Sequence, residues 1–144
     1  SRELPAAERR LLLPNFKGVA PVVFARLRGA AQLGVTVHHL ADAFDAGDIL
    51  LQLVDPAAAV ESLLRTTTRL FDRGAELLAA HLAGAGSLGP GTPQEGPGCY
   101  DSWPIADDVD RLGGRGIALM RLGDLSWVRT ADLSLPRQSP ILSQ

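Results

Sequence analysis

The chain has little that would staple a small fold or pin it to a polyanion. Among its 144 residues, Cys99 is the only cysteine and Lys17 the only lysine. A single thiol excludes an internal disulfide framework and any cysteine-rich metal centre. It fits a reducing cytosol, so a cytoplasmic location is expected. Aromatic residues make up 5%, the formal charge is −2 and the pI is near 5.9. That balance argues against a nucleic-acid module, which carries a basic face, though it leaves room for a small local patch. No stretch approaches the roughly 18 apolar residues of a membrane span. The apolar run around Val19–Ala25 is stopped by Arg26 and Arg28. Ser1–Arg10 lacks the basic start and apolar stretch of a signal peptide. The chain begins at Ser1 without Met, so a fragment is expected. What is present is 46% hydrophobic and 21% charged, enough to bury the core of one domain.

Leu11-Leu12-Leu13 is an apolar run halted by Pro14, because the residue before proline is pushed out of helical geometry. Asn15–Gly18 reads as a turn. Val19–Leu27 predicts a helix with Pro21 in its first turn and Gly29 as its stop. Gly34–Leu40 is rich in β-branched residues and alternates by two, which predicts a strand. Ala41–Asp48, with Asp42, Asp45, Gly47 and Asp48, predicts a loop, and Ile49–Val54 a second strand. Eight residues are many for a plain hairpin, and long structured loops are often functional. Asp55-Pro56 has the chemistry of a helix start, an aspartate that caps followed by proline at the first position. Behind it Val60, Leu63, Leu64, Thr67, Leu70, Phe71, Leu77, Leu78 and Leu82 form one stripe, predicting an amphipathic helix of about 25 residues. Gly84–Gly98 is a Gly/Pro-rich connector. Ala106–Leu112 predicts a short helix opened by Asp107 or Asp108, Ile117–Leu122 a strand, and Ser134–Gln144 a loose tail.

Motif chemistry is sparse. Three aspartates spaced by three on a loop do not make a calcium site, which needs more oxygen ligands in a recognised order. Zinc needs three or four convergent His or Cys ligands, and this chain has three histidines in all, His38, His39 and His81. There is no glycine-rich phosphate loop and no G-x-S-x-G elbow. On an alternating strand His38 and His39 point to opposite faces, so at most one of them faces a cleft. His81, late in the long helix, reads as a helix-surface or capping residue. The residues alone therefore give a strand, an acidic loop, a strand and a long helix.

Leu12-Leu13-Pro14-Asn15-Phe16-Lys17-Gly18, then Gly34-Val35-Thr36-Val37-His38, then Phe44-Asp45-Ala46-Gly47-Asp48-Ile49-Leu50 resemble the folate-dependent formyltransferases, in that family's order and spacing. Gln94, Tyr100 and Pro104 fall where family members place a Gln and a Tyr. The resemblance covers about Leu11–Pro104. It implies an α/β fold, the later half of a Rossmann-like domain with a mainly parallel sheet flanked by helices. It also implies 10-formyltetrahydrofolate as cofactor and transfer of a formyl group to an amine. Carried over position by position, the catalytic aspartate is Asp45 and the strand histidine His38. Leu40, Ala41, Asp42, Ala43 and Phe44 correspond to the folate-binding loop. The organisation implied is a lead-in over 1–10, a formyltransferase-like region over 11–88, a linker over 89–99 and an extension over 100–144.

The family's Asn-x-His segment before Leu-Leu-Pro is not matched. Its Asn falls at Ala7 and its His at Arg9, and neither supplies the missing chemistry. Two expectations stay open. One is a formyltransferase part that is inactive alone; the other is a non-catalytic binding or scaffold domain reusing the fold. The region from Ile105 on is short and not basic, which favours a small-molecule amine over tRNA as acceptor. A sheet left with an unpaired edge would favour a homo-oligomer.

Overall fold

A computed structural model describes residues 10, 11, 13, 15–30, 32–56, 61–96 and 98–125. Ala7 and Arg9, Val60 of the apolar stripe and the tail Ser134–Gln144 lie outside the described residues. In order the elements are β1 (Arg10–Leu11), β2 (Lys17–Gly18), α1 (Pro21–Leu27), β3 (Gln32–His38), β4 (Ile49–Pro56), α2 (Leu63–Ala85), β5 (Tyr100–Asp101) and α3 (Ala106–Gly114). The α/β class expected from the sequence is present. One sheet runs β1-β3-β4 and a small second one pairs β2 with β5. Two of the three strand pairings are parallel; the longest ladder, β3 with β4, is antiparallel, from Gln32 opposite Pro56 to His38 opposite Ile49.

The core is one cluster joining Phe16, Val22, Ala25, Leu27 and Ala30 around α1 to Leu33 of β3, Leu63 and Leu70 of α2, and Leu112 of α3. Burying a leucine such as Leu33 or Leu112 stabilises the fold by about 2 kcal/mol, so these contacts hold helices and sheet together. Gly74 lets α2 lie close on β3: a Cβ there would sit 2.8 Å from Val35 Cγ2. β5 is fixed to α1 by Arg28, whose guanidinium forms two bonds to Asp101 and stands 5.6 Å from the rings of Phe16 and Phe24.

Three expectations are corrected. Asp55-Pro56 does not open the long helix but ends β4, and α2 starts at Leu63. Proline is tolerated at the end of an edge strand, and the Asp55 carboxylate is taken by Arg69. The cap is Ser62, extended at φ −67° and ψ 161°, whose hydroxyl accepts from Arg65 N–H at 3.2 Å. Ile117–Leu122 is not a strand. Its carbonyls serve the helix instead: Leu63 N–H donates to Ala118 O at 2.9 Å and Leu64 N–H to Leu119 O at 3.0 Å. Those are two of the donors that a helix N-terminus leaves without internal partners. Phe71 and Leu82, read as part of the buried stripe, are exposed. The stripe that packs inward is Leu63, Thr66, Leu70 and Gly74, one residue every three or four. No helix among the described residues is long and apolar enough to cross a membrane.

Candidate functional site

The β3–β4 register shifts at the end of β3, where Val37 pairs with Leu51 and His38 with Ile49, and the chain then leaves the sheet for ten residues before returning as β4. The excursion is closed at its base by His39 N–H donating to Asp48 O at 2.9 Å. Gly47 makes the closure possible. A Cβ at Gly47 would meet His39 O at 1.7 Å, so no side chain fits there. Asp45, two residues earlier, has φ 52° and is the one non-glycine residue at positive φ among the described residues. Aspartate tolerates this left-handed geometry better than most residues, at a cost of order 1 kcal/mol.

That backbone turn aims the Asp45 carboxylate back at the body of the protein. Oδ2 accepts the backbone N–H of Gly18 at 2.9 Å. Gly18 is itself confined, with φ 114° and its absent Cβ only 2.0 Å from Asp101 O. Oδ1 lies 3.8 Å from His38 Nε2, the two side chains being 33% and 22% exposed. His38 Nδ1 sits 2.8 Å from the His39 carbonyl. A carbonyl only accepts, so Nδ1 is the donor in that contact and Nε2 is the nitrogen turned toward Asp45. The separation of 3.8 Å suits an ion pair when the ring is protonated and is too long for a direct hydrogen bond. One carboxylate oxygen is thus anchored, and the other shares space with a titratable nitrogen.

Both groups stand in a cleft of about 480 Å³ between the start of α1, β3 and α2. Its walls are largely apolar, with Leu13, Val19, Pro21, Val35, Leu70 and Phe71 among them. The 75% exposed Phe71 ring belongs to this rim. Of the residues singled out from the sequence, His38 and Asp45 meet here. Leu40, Ala41, Asp42, Ala43 and Phe44 are exposed and do not line the cleft. Leu40 is 97% and Phe44 86% exposed, two apolar side chains in the open on the loop that carries Asp45. His39 turns away, its Nε2 being 3.0 Å from Gly89 O. Asp42 and Asp48 do not converge on Asp45, and no cluster of three metal-ligating side chains occurs among the described residues. His81 is half-buried in α2, its Nε2 without a hydrogen-bond partner among the described residues.

Sequence reasoning missed two supports of this site. In the sequence Gly18 reads only as part of a turn, yet its N–H is the donor that orients Asp45. Gln94 was placed only by resemblance, yet its Nε2 donates to Asp45 O at 2.9 Å and to Gly47 O at 2.7 Å.

A family model described as formyl transferase matches residues 11–82, half of the chain. Methionyl-tRNA formyltransferase from Latilactobacillus sakei is 37% identical over 106 residues, covering 70% of this chain and 32% of that protein. The enzyme of the same name from Thermus thermophilus is 35% identical over 101 residues, again covering 70% and 32%. The chain therefore spans about a third of the length of these curated relatives. Among solved structures, the formyltransferase PseJ from Anoxybacillus kamchatkensis superimposes with a TM-score of 0.56 at 28% identity, over 63% of this chain and 48% of that one. It was solved with UDP-4,6-dideoxy-4-formamido-L-AltNAc and tetrahydrofolate. An N-formyltransferase from Helicobacter canadensis shares the fold, with a TM-score of 0.58 at 21% identity over 67% of this chain and 36% of that one.

Proposed function

The chain belongs to the formyl transferase family, and from that premise we propose that its cleft is the folate side of a formyl-transfer site. The donor is 10-formyltetrahydrofolate and the acceptor a small-molecule amine. One observation carries the reading: Asp45, in a strained backbone conformation, has one carboxylate oxygen anchored on Gly18 and the other turned to His38 inside an apolar cleft. Strain of this kind is retained where a side chain must be aimed. The apolar walls suit the flat ring system of a folate.

In the transfer, the amine nitrogen bonds to the formyl carbon, the bond from that carbon to N10 breaks, and a proton leaves the amine for N10. Asp45 is suited to take that proton, because its free oxygen faces the cleft while the anchored one fixes the geometry. His38 Nε2 is suited to hold charge beside it. Stabilising the oxyanion is the task of the family's Asn and His, whose places are Ala7 and Arg9 here. The proposal is therefore that the chain alone binds the folate and does not turn it over. That mismatch also favours the second reading, a binding domain without catalysis.

The test is a titration with 5-formyltetrahydrofolate followed by an assay with 10-formyltetrahydrofolate and amines, an amino sugar nucleotide and methionyl-tRNA among them. Saturable binding with no turnover is expected. Introducing Ala7→Asn with Arg9→His tests the transfer reading directly: formyl transfer to an amine above background supports a transfer site. Absence of folate binding overturns both. Transfer to methionyl-tRNA but to no small amine overturns the acceptor assignment.

A further inference from the structure

The turn that holds Asp45 is closed at its base by His39 and Asp48, and it is also braced from outside the loop. With φ at 52°, Asp45 occupies the left-handed region, which is costly for a non-glycine residue. The two carbonyls that the turn exposes, those of Asp45 and Gly47, converge on one side chain. Gln94 Nε2 donates to both. Its other amide atom, Oε1, is buried without a hydrogen-bond partner among the described residues. Reversing the amide would set that oxygen against two carbonyls and leave both without a donor, so the chemistry fixes its orientation. A buried acceptor left unsatisfied costs stability. Its presence points to the other end of the side chain as the reason the residue is there.

Gln94 lies 49 residues after Asp45, in the Gly/Pro-rich connector and past the 11–82 span of the family match. The connector is locked in place beside the turn. Ile49 and Thr92 exchange backbone hydrogen bonds of 2.8 and 2.7 Å, and a Cβ on Gly91 would lie 2.5 Å from Asp48 Cβ. Gln94 thus reaches the turn from a rigid base at the start of β4.

We infer that Gln94 is a positioning residue for Asp45: by bonding both carbonyls it holds the turn that delivers one carboxylate oxygen to Gly18 and the other to His38. The role rests on Asp45 being the site carboxylate, but it is read out without any reaction. The reporter is the Gly18 amide, which the carboxylate touches directly at 2.9 Å.

Amide exchange and a pH titration of the Gly18 resonance are measured by NMR in the wild-type chain and three variants. Gln94→Glu keeps the shape but, when ionised, donates nothing. Gln94→Met is neutral and donates nothing. Gln94→Lys restores a donor able to serve both carbonyls. In the Glu and Met variants, Gly18 exchange should accelerate at least about tenfold, as expected for losing two hydrogen bonds. Its response to carboxylate titration should shrink, while the amides of the β3/β4 ladder keep their protection. The Lys variant should recover part of both signals. Unchanged Gly18 behaviour in the Glu and Met variants overturns the role, and so does equal acceleration in all three variants or throughout the ladder. Titrating the wild-type sample with 5-formyltetrahydrofolate separates the two claims. No binding, with Gly18 still following the Asp45 carboxylate, overturns the proposed reaction and supports the positioning role.

Discussion

Gly47→Ala should be the most damaging single methyl group that can be added to the site loop. The new Cβ would lie 1.7 Å from His39 O and 2.6 Å from His39 C, both backbone atoms that cannot rotate aside. Relief requires roughly doubling the first distance, and two hydrogen bonds oppose that movement: His39 N–H to Asp48 O at 2.9 Å and Gln94 Nε2 to Gly47 O at 2.7 Å. Each bond contributes about 1 kcal/mol, and a buried carbonyl left alone costs about 1 kcal/mol more. The total is about 3 kcal/mol, within the range for overpacking a tight site. For a chain of this size that corresponds to a fall in melting temperature of about 10 °C. Gly29→Ala is the control. Its φ of 73° strains an alanine, but nothing lies within 4 Å of the added atom, so a loss of about 1 kcal/mol is expected. Thermal unfolding followed by circular dichroism checks the pair. If Gly47→Ala melts no lower than Gly29→Ala, the loop is not closed as described and the argument for an aimed Asp45 falls with it.

Asp45→Asn should leave the melting temperature within about 2 °C, because Asn tolerates the same backbone geometry and can still accept the Gly18 N–H. In any formyl-transferring form of the protein it should lower kcat at least about a hundredfold, and a loss of only a few-fold would remove Asp45 from the mechanism. Asp124 should give the fold an acid-sensitive component. The Ser62 hydroxyl, and then the Arg121 N–H at 2.7 Å, hold its carboxyl below the usual carboxylate range. Its folded pKa is therefore lower than its unfolded one. The stabilisation is present above the unfolded value and is lost as the pH falls through the folded value. The melting-temperature gap between wild type and Asp124→Asn should be widest near neutrality and shrink below about pH 4. A gap that stays constant into strong acid would refute that role.

How far the sequence carried the reading depended on whether a signal was local. The β-branched run ending at His38 and the threes-and-fours spacing through Leu63 and Leu70 are periodic, so β3 and α2 were legible. The onset of α2 was not. Asp55-Pro56 satisfies the local rule for a helix start, but a distant partner, Arg69, holds Asp55 at the end of β4. Ser62, the true cap, was present and unread. Ile117–Leu122 has the composition of a strand, and only the tertiary fold shows its carbonyls spent on the N–H groups of Leu63 and Leu64. At the site, Asp45 and His38 could be named because their motifs resemble those of the formyltransferases in order and spacing. Their supports could not, because Gly18 and Gln94 act from 27 and 49 residues away. Nothing periodic marks a glycine chosen for its amide or a glutamine chosen for one nitrogen.

The most direct test is an NMR titration of the wild-type chain with 5-formyltetrahydrofolate, read at the amides of Gly18, His38, Phe44 and Asp45. Saturable shifts are expected at these four positions, with a dissociation constant below about 1 mM, and much smaller shifts at Leu112, which does not line the cleft. Shifts that fail to saturate, or that spare Gly18 and Asp45 while moving residues elsewhere, would contradict a folate site in this cleft.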